Sequence, residues 1–110
     1  MDDTDWERRV ALLWASIDEL TDEDLLARME KLVAERPADD PVGLFEHGSA
    51  LDSTGHPEQA VGRYRAALRA GLSGYRRRRA TIQLASSLRN LGEVDESVAL
   101  LTAELDAGSD

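Results

Sequence analysis

Apolar residues recur at intervals of three and four along almost the whole chain, the spacing that places side chains on one helix face. Trp6, Val10, Leu13, Trp14, Ile17 and Leu20 form the first stripe. Thr4-Asp5-Trp6-Glu7 has the form of a capping box that starts its helix. Thr21 marks a second start, followed by Asp22, Glu23 and Asp24, acids suited to a helix N-terminus. Leu25, Leu26, Met29, Leu32 and Val33 make its stripe, and Pro37 ends it. Asp40 and Pro41 then read as N-cap and first helical residue, with Leu44, Gly48 and Leu51 on the inner face and Gly55 as the stop. His56-Pro57 starts the next helix, with Ala60, Val61, Tyr64, Ala67 and Leu68 inward. Residues 71–74 form a turn. A helix is expected over residues 75–90, with Ile82, Leu84, Ala85 and Leu88 as apolar contacts. Gly92 breaks it, and Val94, Val98, Leu101 and Leu105 are expected to carry the core face of the last helix. The pattern predicts six helices in three hairpins. Strand alternation is absent, so the fold class is all-α.

Part of this pattern repeats. Leu51-Asp52-Ser53-Thr54-Gly55-His56-Pro57-Glu58-Gln59-Ala60 aligns on Leu88-Arg89-Asn90-Leu91-Gly92-Glu93-Val94-Asp95-Glu96-Ser97. A helix pair recurring at roughly this period resembles the tetratricopeptide repeat (TPR). That repeat wants large, small and large apolar residues on its first helix, and Leu44, Gly48 and Leu51 fit. Its second helix wants Ala, an aromatic residue and Ala, and Ala60, Tyr64 and Ala67 fit. The small residues let two helices approach closely and the large ones fill the gap between hairpins. In the second repeat Ala85, Leu88 and Ser97 fit, while Thr81, Leu101 and Glu104 fit loosely, as in a terminal repeat facing water. The stretch from Gly71-Leu72-Ser73-Gly74 through Arg77-Arg78-Arg79-Ala80 to Leu88-Arg89-Asn90-Leu91-Gly92 is similar to a family of short bacterial tetratricopeptide proteins. The resemblance covers roughly residues 40–105. It implies an α-α superhelix that serves as a scaffold for protein–protein contacts. The expected organisation is one TPR-like domain over residues 1–110: a degenerate or capping hairpin at 5–36, a repeat at 41–71 and a repeat at 75–107.

Composition narrows the function. A chain of 110 residues with 42% apolar residues supports one modest core. Cysteine is absent, which removes disulfides and thiolate chemistry. The acidic first residues lack an apolar leader core and no apolar run reaches membrane-span length, so the expectation is a cytoplasmic protein with no membrane contact. The net charge of −9 argues against nucleic acid as a partner. That charge is segregated: residues 1–40 carry thirteen acids and five bases, residues 63–89 carry eight arginines and no acid, and residues 93–110 carry six acids and no base.

No catalytic constellation appears. His47 and His56 form no metal-spacing pair. The acids at 22–24 and 39–40 lack the alternating ligands of a Ca²⁺ loop. Residues 71–74 lack the Lys-Ser/Thr ending of a phosphate loop. The expectation is therefore no enzyme, no metal and no cofactor. Trp6 and Trp14 are assigned to packing, with a contact role as the alternative.

The arginines carry the functional expectation. In the resembled fold, the first helix of each pair lines a groove with the residues opposite its apolar stripe. That row holds Arg79, Gln83, Ser86, Arg89 and Asn90, with Ile82 beside it, in one repeat. In the other it holds Val42, Phe45, Glu46, Ser49 and Asp52. Phe45, Arg79, Gln83, Ser86, Arg89 and Asn90 are thus the expected peptide-binding residues. Arg, Gln, Ser and Asn offer many donors, which suits a carboxylate or acidic peptide. Glu46 and Ser49 depart from the carboxylate clamp of chaperone-binding TPR domains. Residues 76–79 also place cations in a first helical turn, against the macrodipole. The expected function is a protein-binding adaptor for an acidic or carboxylate-bearing segment. The alternative is an accessory subunit that binds an anionic small molecule or nucleic acid through the arginines. The opposed charges of residues 1–40 and 63–89 further suggest a weak homodimer at low salt.

Overall fold

The computed structural model describes residues 3–108 and contains six α-helices: α1 (Asp3–Ala15), α2 (Asp22–Val33), α3 (Pro41–Ser53), α4 (Pro57–Arg69), α5 (Gly74–Asn90) and α6 (Val94–Gly108). A 3₁₀ turn, Ile17–Glu19, joins α1 to α2. No strand occurs among the described residues. Packing runs in chain order: α1 on α2, α2 on α3, α3 on α4, α4 on α5 and α5 on α6. This is a stack of three helical hairpins.

The helix starts obey the local chemistry. Thr21 Oγ1 accepts the amide N–H of Asp24 at 3.1 Å, and Asp40 Oδ2 accepts that of Gly43 at 2.8 Å. The repeat is visible in the hydrogen bonds that end α3 and α5. Gly55 and Gly92 adopt left-handed φ values of 82° and 91°, which spare them the Cβ clash other residues meet there. The amide beyond each glycine turns back to the helix, His56 N to Leu51 O at 2.9 Å and Glu93 N to Leu88 O at 2.7 Å. These are the same cap at equivalent positions.

Two apolar clusters hold the stack. The central one includes Phe45, Leu51, Ala60, Tyr64, Ala67, Leu84 and Leu88, and the N-terminal one Trp6, Val10, Leu13, Leu25, Met29 and Ala50. Trp6 is buried and donates its indole N–H to Leu32 O at 2.8 Å. The Arg36 guanidinium lies over its ring, 4.6 Å from the centroid.

Three expectations change, the smallest being Ile82, expected as an apolar contact of α5 and 45% exposed. The first stripe does not run as one helix to Leu20, and α1 begins at Asp3 rather than after a Thr4 cap. Ser16 Oγ donates to Leu12 O at 3.0 Å, and the chain tightens into the 3₁₀ turn. Such back-bonding competes with helix continuation. The larger correction concerns α6. Val94, Val98, Leu101 and Leu105, expected in the core, are 51%, 56%, 40% and 74% exposed. Ser97 is buried instead, with Leu100 packed against the central cluster. The adjoining Glu104 takes the Arg77 guanidinium at 2.8 and 3.2 Å. That ion pair and the repeat positions Ser97 and Glu104 set the rotation of α6, not its most apolar stripe.

Candidate functional site

The first helices of the three hairpins border one cavity of about 660 Å³. α1 contributes Glu7, Val10, Ala11 and Trp14. α3 contributes Phe45, Glu46, Ser49 and Ser53. α5 contributes Tyr75, Arg76, Arg79 and Gln83. Each set follows helical spacing, so each is one face of its helix.

The floor is an ion-pair network. Glu46 is 5% exposed. Its Oε1 accepts the Trp14 indole N–H at 2.8 Å, and its Oε2 accepts Arg76 Nε at 3.0 Å. The two terminal nitrogens of Arg76 donate to both oxygens of Glu7, at 2.6 and 2.8 Å. The pairing is bidentate, the strong form of a guanidinium–carboxylate contact. It joins α1 to α5 across 69 residues of sequence. Among the described residues, no buried side-chain nitrogen or oxygen lacks a hydrogen-bond partner.

The network shifts its own titrations. The Arg76 hydrogen bonds hold the Glu7 carboxyl below the usual carboxylate range, against an opposing push from burial. Arg76 is raised in turn, first by Glu7. Arg9 lowers Glu35 in the same way at the outer edge of the α1/α2 hairpin. For Glu7 the folded state holds its proton less tightly than the unfolded state. Its stabilising contribution is therefore complete above the ordinary carboxylate pKa and is lost as pH falls through the depressed folded value. Melting temperature measured from neutral pH into the acid range should fall less steeply for Glu7→Gln than for wild type, with the residual slope belonging to groups such as Glu35. Identical slopes would remove Glu7 from the linkage.

The arginine run divides by helical phase. Arg76 and Arg79 face the cavity. Arg77 and Arg78 turn to α6, where Glu104 lies 2.8 and 3.7 Å from them. Acidic partners on three other helices thus offset the cations that oppose the α5 dipole. Glu7 of the acidic segment and Arg76 of the basic segment form an ion pair within one chain. Arg79 is exposed and makes no ion pair or hydrogen bond among the described residues.

Of the six residues expected to bind peptide, the structure brings Phe45, Arg79 and Gln83 to the cavity wall. Ser86, Arg89 and Asn90 are not in that wall. Ser86 is half-buried and Arg89 and Asn90 are exposed, on the last turns of α5 beyond Gln83. Phe45 is 4% exposed, so it offers the cavity only an edge. Glu46 and Ser49 line the cavity as their row implies. Asp52 instead accepts the Tyr64 hydroxyl at 3.2 Å, and Val42 packs between the two clusters. Sequence reasoning missed Glu7 and Tyr75 as cavity residues, gave Trp14 a contact role only as the alternative to packing, and gave Arg76 only as part of the cationic run at 76–79. Glu7 lies seven residues before the stripe residue Trp14 and so shares its side of α1, which was the available signal.

Neither histidine borders the cavity. His47 Nε2 lies 3.1 Å from Glu30 Oε2, and His56 Nδ1 lies 3.1 Å from Thr54 Oγ1. Among the described residues, no three metal-ligating side chains of the His, Cys, Asp and Glu types cluster. No helix there is long and apolar enough to cross a membrane.

A hairpin stack with a cavity framed by its first helices defines a helical-repeat scaffold. The chain belongs to the tetratricopeptide repeat family: it matches the family described as Tetratrico peptide repeat over residues 41–110. No curated protein matches the chain. The match covers the second and third hairpins, and family membership indicates a role in protein–protein interaction. The family is typically a scaffold rather than an enzyme.

Proposed function

We propose that the chain is an adaptor whose cavity binds an acidic, carboxylate-bearing peptide segment, with residues 1–110 acting as one domain. The observation that carries this reading is Glu7. One carboxylate of the chain already sits bidentate on a cavity arginine, at 2.6 and 2.8 Å. Arg79 follows one turn later on the same face and is unpaired among the described residues. Gln83 stands a further turn along with an amide donor. Val10, Trp14, Phe45 and Tyr75 supply apolar wall beside these donors. The ligand is then a segment with one carboxylate set next to an apolar side chain. A carboxylate on Arg79 forms charge-assisted hydrogen bonds at the cavity wall.

The alternative, an anionic small molecule or nucleic acid on the arginine cluster, lacks a supporting observation. Nucleic acid needs a continuous basic surface, and three of the four clustered arginines are held by Glu7, Glu46 and Glu104.

The test is fluorescence polarisation with a labelled peptide of alternating Glu and Leu residues. Arg79→Ala should weaken binding about tenfold or more, the scale of a lost charged hydrogen bond. Arg89→Ala, outside the cavity wall, should leave it unchanged. Equal affinity in wild type and Arg79→Ala contradicts the proposal.

A further inference from the structure

The outer face of α6 is the largest apolar feature that the carboxylate-binding reading does not use. Val94, Val98, Leu101 and Leu105 follow a spacing of four, three and four, and all are exposed. Such spacing is a helical seam of the kind that takes another helix. The stripe spans twelve residues, a rise of about 16 Å. Leu91, just before α6, is 39% exposed and extends it. An apolar face of this order on a small acidic protein marks an interaction surface.

The charges around the seam select its occupant. No basic residue occurs from Asn90 to the end of the chain. Glu93 and Asp95 stand at one end of the seam, and Asp106 at the other. Two further acids of α6 are already engaged, Glu96 with Arg65 and Glu104 with Arg77 and Arg78. A second copy is a poor partner. An antiparallel pairing that sets Val98 against Leu101 of the other copy brings Glu93 beside Asp106. A parallel pairing sets each acid near its own equivalent. Like charges across a seam disfavour association. The α1/α2 hairpin of a second copy is no better, because residues 1–40 carry thirteen acids and five bases.

We propose that the exposed seam of α6 docks an amphipathic helix of another protein, with an apolar stripe at heptad spacing and lysine or arginine along its edges. The apolar stripe supplies the contact, and the bases meet Glu93 and Asp95, which have no cation of their own among the described residues. Binding here does not involve the cavity, so the chain would hold two different segments at once: an acidic one between the first helices and a basic helix on its last.

Two synthetic helical peptides test this on the full chain. Both carry leucine at heptad spacing, one with lysine on its edges and one with glutamate in the same places. The lysine peptide should bind about tenfold or more tightly than the glutamate peptide at low salt. Val98→Ser/Leu101→Ser removes apolar surface without adding charge. It should weaken the lysine peptide about tenfold or more, because exposed leucine and valine are worth that much when buried in a complex. Circular dichroism should be unchanged and melting should shift little, as Val98 is 56% and Leu101 40% exposed. Val94→Ser/Leu105→Ser should reproduce the loss, and Arg79→Ala should have none. Three results overturn the proposal: equal binding of the two peptides, indifference of the lysine peptide to both serine pairs, or a wild-type dimer in sedimentation that the serine pairs dissociate. The last would give the face to a second copy.

Discussion

Arg76→Ala should destabilise the fold by about 3–5 kcal/mol, the scale of breaking a buried ion pair from one side. The Arg76 side chain is 14% exposed and that of Glu46 is 6% exposed. Removal of the guanidinium leaves the Glu46 carboxylate buried with only the Trp14 indole N–H as donor. Glu7 contributes less to the effect, because its side chain is 43% exposed and water can take over its solvation. The substitution also severs the polar link between α1 and α5. Urea denaturation reads the loss directly. The double variant Glu46→Ala/Arg76→Ala should be destabilised by clearly less than the sum of the two single variants, since each single change strands the other group. A single-variant loss within about 0.5 kcal/mol, the range of an ordinary surface change, would show that the network does not hold the cavity floor.

Gly48→Leu should also cost about 1–3 kcal/mol or more through overpacking. A Cβ placed on Gly48 would lie 3.1 Å from Arg63 Cβ and 3.1 Å from both Cδ1 and Cε1 of Tyr64. The Tyr64 ring is fully buried and its hydroxyl is tied to Asp52, so it has nowhere to go. The better helix propensity of leucine gives back at most about 1 kcal/mol. The strain therefore wins for leucine. Gly48→Ala should fall nearer to wild type, because its smaller clash and its propensity gain nearly offset. Denaturation midpoints of the two variants check the order. A leucine variant as stable as wild type would mean that α3 and α4 do not approach at this position.

These two sites differ in how far the sequence announces them. Gly48 and Tyr64 are sixteen residues apart within one repeat, and their small and large side chains follow a helical register that local spacing carries. The helix ends at Gly55 and Gly92 are equally local, since glycine at a cap is dictated by one backbone angle. The Arg76 network is not local. Its partners come from α1 and α3, 69 and 30 residues away, and nothing in the linear pattern sets the rotation of α1 against α5. For the same reason the cavity wall on α5 was expected to run to Asn90 and stops at Gln83. α6 shows a different failure. Its most apolar stripe competes with its repeat positions, and hydropathy favours Val94, Val98, Leu101 and Leu105. Burial follows Ser97 instead, and Glu104 is turned toward α5 by Arg77 and Arg78 on the neighbouring helix.

The central claim is that a carboxylate-bearing segment enters between α1, α3 and α5. The most direct measurement is a titration of the ¹⁵N-labelled chain with the alternating Glu/Leu peptide, followed by heteronuclear correlation spectra. Shifts should concentrate at the Trp14 indole N–H and at the amides of Ser49, Ser53, Arg79 and Gln83, with α6 undisturbed. Shifts confined to α2, α4 or α6, or none at saturating peptide, would contradict that claim.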